Sequence, residues 1–282
     1  MNIITNNPYR QLGVYSTSPQ KDVVANQGRM NAFLRVGKEV SLPLDLVGIL
    51  PVMPRTSESV AEAVSQLALP AEQLRYAQFW FAKCTSFDDI AFGKLTNGDM
   101  DGAIEVWNKK TTVSSLQNQI VCALIKRQVG KAITLAQELY PSHSAEFVAM
   151  LHGERGLASA KSLTQDFLDA LCGEFQPEVV MENITIPKWK EYVGGRMTQP
   201  LIDKLLAAVE QAKSSKGRGA AARLQAGTKL MNDTKAALAE LKQYLSTEDL
   251  QYQMIADKIG LEVLQCGIDY YNDSEEPDAA FK

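Results

Sequence analysis

The chain has 282 residues, 45% of them apolar, enough to bury a substantial core in one large helical array or in two to three ordinary domains. Its 29 basic and 33 acidic residues leave a formal charge of −4, so no global field draws it to phosphate backbones or anionic membranes. Nucleic acid and membrane are therefore excluded as main partners. The opening MNIITNNPYR lacks a basic flank followed by an apolar run, and a cytoplasmic location is expected.

Asn7 before Pro8 fits an N-cap followed by proline at the first helical position, and the short helix this starts should end at Gly13. A second helix is expected from about Pro19, capped by Ser16, Thr17 or Ser18, with Val23, Met30, Phe33, Leu34 and Val36 at roughly helical spacing and Gly37 at its end. Residues 38 to 55 fit no regular period. The least polar part, Ser41 to Pro54, contains Asp45 and Pro43, Pro51 and Pro54, so it is a loop that must pack on something. Thr56 or Ser57 can cap a third helix with Val60, Ala63, Val64 and Leu67 on one side, running to a break at Pro70. Residues 72 to 82 are expected to resume it, carrying Tyr76, Phe79, Trp80 and Phe81 as a core joint.

Between residues 88 and 140 the chain repeats itself. Ala91 to Leu95 with Ala103-Ile104 is echoed 29 positions later by Ile120 to Leu124 with Ala132-Ile133, each copy reading as helix, turn and helix. Trp107 reads as core. From Ser144 to Phe175 two more short helices are expected around Gly153 and Gly156. The stretch 181 to 200, with two prolines and a Gly-Gly pair, reads as a long loop or small hairpin in which Trp189, flanked by Lys188 and Lys190, is a candidate exposed contact.

The last third reads as a helical bundle. Leu201, Ile202, Leu205, Leu206, Val209 and Ala212 line one helix face, and 213 to 219 form a polar hinge. Leu224, Met231, Leu238 and Leu245 then recur at sevens, the seam of a helix packed on a neighbour. Leu250, Met254, Ile255, Ile259, Val263 and Cys266 continue that logic. Asp273 to Asp278 resembles another helix start, with Pro277 in its first turn, and leaves two expectations, a helix that continues past Lys282 or a tail that orders only against something else.

Two segments resemble a J-domain, the module by which co-chaperones engage heat-shock ATPase chaperones. Pro8-Tyr9 and Leu12-Gly13 match its opening in type and spacing, and Ala63, Leu67, Pro70, Arg75 and Tyr76 match its closing helix. The resemblance covers about the first 82 residues and implies a chaperone as partner, docked through basic residues of the second helix, here Lys21, Arg29, Arg35 and Lys38. The histidine-proline-aspartate turn is missing: the nearest fragment is Leu42-Pro43-Leu44-Asp45, and no histidine precedes His143. A leucine cannot make the polar contact of an imidazole, so loss of ATPase stimulation is implied. The repeat of residues 83 to 180 resembles tetratricopeptide hairpins, whose unit is about 34 residues, with Ala103 and Ala132 at the close helix crossings and Leu139-Tyr140-Pro141 as the end of a unit. Its concave side would take a peptide.

Chemistry is sparse. His143 and His152 stand alone, no glycine pattern makes a phosphate loop, and Asp88-Asp89 is explained by a helix start. The four cysteines are expected to be reduced and buried. The sequence thus points to an all-α chain made of a degenerate J-like domain (1–82), tetratricopeptide-like helical repeats (83–180) and an irregular loop plus C-terminal helical bundle (181–282). It reads as a non-enzymatic protein-binding adaptor without cofactor or metal. The second reading is an assembly protein that oligomerises through its C-terminal helices, with the 224–245 seam as the discriminating feature.

Overall fold

The computed structural model describes residues 2–153 and 162–274, and among them the fold is all-α, with one isolated bridge between Val47 and Leu50. It divides into two compact units, residues 1–190 and 191–282.

The first unit opens with α1 (Asn2–Thr5) and α2 (Pro8–Leu12). As expected, Asn7 caps α2: its Oδ1 accepts from the Tyr9 N–H at 3.1 Å, while its Nδ2 donates to the carbonyls of Ile3 and Tyr76. The helix ends on Gly13 in the left-handed region at φ +64°. A side chain there would also meet Leu42 Cδ1 at 2.1 Å, so the loop after the next helix closes directly over this glycine. Helix α3 (Gln20–Arg35) is capped by Pro19 without a side-chain bond and commits only Val23 and Met30 fully to the core. A single 3₁₀ turn, Pro43–Asp45, interrupts the loop before α4 (Ser57–Gln66), which starts at a Thr56 capping box.

Helix α5 (Pro70–Ala77) stops earlier than the sequence suggests. Residues 78 to 82 leave the helix because two buried side chains of a later helix take over their backbone partners. Gln117 Nε2 donates to the carbonyls of Ala77 and Gln78 at 3.0 and 2.7 Å, and Asn118 both donates to and accepts from the backbone of Ala82 at 2.8 Å. Phe79, Trp80 and Phe81 are buried as expected. Trp80 donates to the Val14 carbonyl, Phe79 stacks on Phe167, and Phe81 meets Phe92 and Trp107.

Two hairpins follow: α6 (Ser86–Leu95) with α7 (Met100–Asn108), and α8 (Val113–Ile125) with α9 (Val129–His152). Thr85 and Thr112 open the first helix of each with capping boxes, and Ala103 and Ala132 are fully buried. The second hairpin does not end at Pro141. Helix α9 runs through it and kinks at His143, because proline removes a helical N–H and crowds the preceding turn. Gly156 lies outside the described residues. Helix α10 (Leu163–Glu174) buries Leu163, Phe167, Leu168 and Leu171.

The expected loop or hairpin of 181 to 200 is instead helical. It comprises the end of α11 (Pro177–Glu182), a short link, and the first half of α12 (Pro187–Lys213). Pro187 occupies the first helical position, where its missing N–H costs nothing. The link is pinned by Gln137 Oε1, which accepts from the N–H groups of Thr185 and Ile186. Pro200 sits inside α12, with Thr198 Oγ1 bonding back to the Gly194 carbonyl just ahead of it.

In the second unit α12, α13 (Ala220–Tyr244) and α14 (Leu250–Asp273) share a core of Ile202, Leu205, Val209, Leu230, Leu241 and Ile259 with their neighbours. The seam predicted at Leu224, Met231, Leu238 and Leu245 holds in its second half, where Leu238 and Leu245 pack partly buried against the core, and is displaced in its first, where Leu224 is 36% and Met231 49% exposed. The inward positions of α13 are Gly227, Leu230, Thr234, Ala237 and Leu241. The reason is close approach, since a Cβ on Gly227 would come within 2.9 Å of Cys266 Cβ and leave no room for leucine. Likewise Leu250 and Met254 face outward on α14, while Tyr252, Ile255 and Ile259 are buried. Residues 275 to 278, and Pro277 with them, lie outside the described residues. All four cysteines are free. Cys122 and Cys266 are buried and Cys172 half-buried, whereas Cys84 is exposed, against the expectation of four buried thiols.

Candidate functional site around helix α3 and its following loop

The residues of the J-like signature fall into two groups. Pro8, Tyr9, Leu12, Gly13 and Leu67 pack where α2, α4 and α5 meet, and Tyr9 donates its hydroxyl to the Gln73 carbonyl at 3.2 Å. Burial pushes the Tyr9 hydroxyl well above its ordinary pKa. Pro70 starts α5 at its exposed first position, while Arg75 lies over the Tyr76 ring at 5.2 Å and pairs with Glu72 at 3.5 Å. These are scaffold roles.

The basic set behaves differently. Lys21, Arg29, Arg35 and Lys38 are all exposed, and among the described residues none makes an ion pair; Arg29 donates to Asn26 Oδ1. Exposed apolar side chains accompany them: Val24, Phe33 and Val36. The loop after α3 adds exposed Val47 and Val52 beside a surface pocket of about 460 Å³. Trp189 does not join this set. It is 6% exposed in the first turn of α12, so the exposed contact expected of it is absent; its indole packs while the flanking lysines stay in water.

Sequence reasoning missed what organises the loop. Asp45 accepts from the Leu42 N–H at 2.8 Å and from both terminal nitrogens of Arg55 at 2.9 and 2.5 Å. Arg55 also donates to the carbonyls of Gln11, Val40 and Arg10. Arg10 donates to the carbonyls of Thr5, Asp45 and Pro51. Its pKa is lowered first by burial, with Asp45 opposing and Arg55 adding to the shift. Every oxygen and nitrogen of the Asp45–Arg55 pair is engaged internally, so this is an anchor for the loop with no group left over for a ligand. The only sequence signal was two charged residues in an apolar, proline-rich stretch.

A second buried carboxylate was visible as a capping residue but not in its full role. Asp88 accepts from the N–H groups of Cys84 and Thr85, from the hydroxyl of Ser114, from the Trp107 indole at 2.9 Å and from Asn118. It joins α6, α7 and α8. His143 Nδ1 lies 3.0 Å from Glu146 at the surface, and among the described residues no group of three or more His, Cys, Asp or Glu could hold a metal. No described helix is long and apolar enough to cross a membrane. Family models, curated proteins and solved structures were compared with the chain, and none of them matches.

Proposed function

We propose that the chain is a non-enzymatic protein-binding adaptor that docks a heat-shock ATPase chaperone through α3, without stimulating its ATPase. The observation that carries this is the solvent side of α3. Lys21, Arg29 and Arg35 share it with Val24, Phe33 and Val36, on a helix that gives the core only two fully buried residues. Cations steer an acidic partner and exposed apolar groups then supply desolvated contact. The choice of a chaperone rests on the J-like resemblance around Pro8-Tyr9 and Leu12-Gly13. The absence of stimulation rests on the loop, where Asp45 is committed to Arg55 and no histidine is present. The hairpins α6–α9 remain the proposed place for a bound peptide.

The test uses the full chain and the chaperone of the same host. Binding is measured by biolayer interferometry at two salt concentrations, and steady-state ATP hydrolysis in parallel. Salt-sensitive binding that Arg29→Glu with Arg35→Glu weakens at least tenfold, at an unchanged ATPase rate, is the expected result. Absence of binding, or several-fold stimulation of hydrolysis, overturns the reading.

A further inference from the structure

Helix α14 is apolar on two opposite faces. Its inner face, including Tyr252, Ile255, Ile259 and Cys266, lies in the core of the second unit. Its back face carries Leu250, Met254, Leu261, Leu264, Ile268 and Tyr271, which are 44 to 71% exposed. With Asp257 filling the one gap, these positions alternate by four and three, the period of a seam between packed helices. A helix that is apolar all round is a buried helix, so this face needs a cover.

We propose that the back face of α14 pairs with the α14 of a second copy of the chain, in antiparallel orientation. Three observations select that occupant. The stripe spans residues 250 to 271, about 32 Å at 1.5 Å per residue, and needs an equally long helix with the same stripe. Among the described residues only α14 itself exposes one, since α13 offers Leu224 and Met231, and α3 offers Val24, Phe33 and Val36. The flanks are largely uncharged, with Gln251, Gln253, Gly260, Gln265 and Gly267 beside the stripe, so few charges meet across the pair. The exceptions are Asp257 and Lys258: a crossing near Gly260 sets Met254 against the partner's Leu264 and brings the two Lys258 close to the crossing, where each Asp257, within a turn of the partner's Lys258, offsets their repulsion. Open space surrounds the Cα of Gly260, which allows the helices to approach there. The exposed portions of the six side chains amount to on the order of 600 Å² per copy, or about 1,200 Å² for the pair, at the lower edge of specific interfaces. A reversible, concentration-dependent dimer is expected.

Multi-angle light scattering and sedimentation equilibrium of the full chain, with reductant to keep exposed Cys84 out of disulfides, give the test. The expected result is a concentration-dependent dimer that is lost in Leu261→Lys with Ile268→Lys, at unchanged helicity and thermal midpoint. Asp257→Lys is a milder variant at an exposed position and should raise the dissociation constant about tenfold at low salt. A monomer at all concentrations, including one whose stripe is covered by the first unit, overturns the proposal. So does a dimer that survives the double substitution, and a dissociation constant unmoved by Asp257→Lys overturns the antiparallel register.

Discussion

Asp45 and Arg55 hold each other through two contacts, of 2.5 and 2.9 Å, with both side chains buried. Removing either partner strands the other charge, a loss of about 3–5 kcal/mol for a buried pair. Urea unfolding of Asp45→Ala and of Arg55→Ala should each show a decrease of that order. A paired apolar replacement, Asp45→Leu with Arg55→Met, should lose less than the two single changes summed, because the facing charges leave together, although buried Arg10 still loses its nearby carboxylate.

Gly13 should not tolerate alanine. The left-handed backbone and the contact with Leu42 act together, and the combined cost is expected at about 2–4 kcal/mol. Adding Leu42→Ala removes the collision but leaves the backbone strain. Thermal melts should therefore show Gly13→Ala partly rescued in the Leu42→Ala background, relative to each background's own parent.

Asp88→Asn keeps the shape of a carboxylate but turns an amide donor toward groups that already donate. At least one of the Trp107, Ser114 and Thr85 donors loses its acceptor, a cost of about 3 kcal/mol. Trp107 reports this directly: its fluorescence in the folded state should shift, and the unfolding midpoint should fall.

Alkaline pH should unfold the chain well before its salt bridges fail. Burial pushes the Cys122 thiol up to about 12, the Cys266 thiol up to about 11 and the Tyr15 hydroxyl up to about 12. The unfolded chain releases the Cys122 proton near the ordinary thiol value of 9.0, while the native state keeps it. The native state therefore binds more protons in that window, and stability declines as pH rises from about 9 to about 12. Cys122 alone contributes a slope approaching 1.4 kcal/mol per pH unit. Guanidinium unfolding at pH 7, 9 and 10.5 should be flat over the first interval and fall over the second, with a shallower fall in Cys122→Ala.

Two helix starts were legible because a local group announces them, Asn7 before Pro8 and Thr56 ahead of α4, whereas α3 is capped by Pro19 without a side-chain bond instead of by the expected Ser16, Thr17 or Ser18. The first half of the C-terminal seam was misplaced because the inward positions of α13 include Gly227, Thr234 and Ala237. Small residues let helices approach, but they carry little apolar signal, and the larger Leu224 and Met231 outweigh them in a periodicity count. The proline-rich 181–200 segment misled for a related reason, since Pro187 is permitted at a helix start and reads as a breaker only out of context. Of the candidate site, the cations of α3 were singled out through the family resemblance, and the structure shows them exposed. The Asp45–Arg55 anchor could not: its members are ten residues apart in a loop with no period, and burial of a charge is decided by groups such as the carbonyls of Gln11 and Val40.

Gln117 and Asn118 reach from α8 to the backbone of residues 77 to 82 and complete hydrogen bonds that no helix or strand supplies there. A shortened chain ending after residue 82 would strip Phe79 and Phe81 of their ring partners Phe167, Phe92 and Trp107 and leave orphaned carbonyls. A chain starting at residue 83 would strip Gln117 and Asn118 of the backbone groups they hold, with the bond to Asp88 kept by Asn118. Neither half is a transferable cassette, and anyone grafting residues 1–82 onto another protein must carry α8 with them.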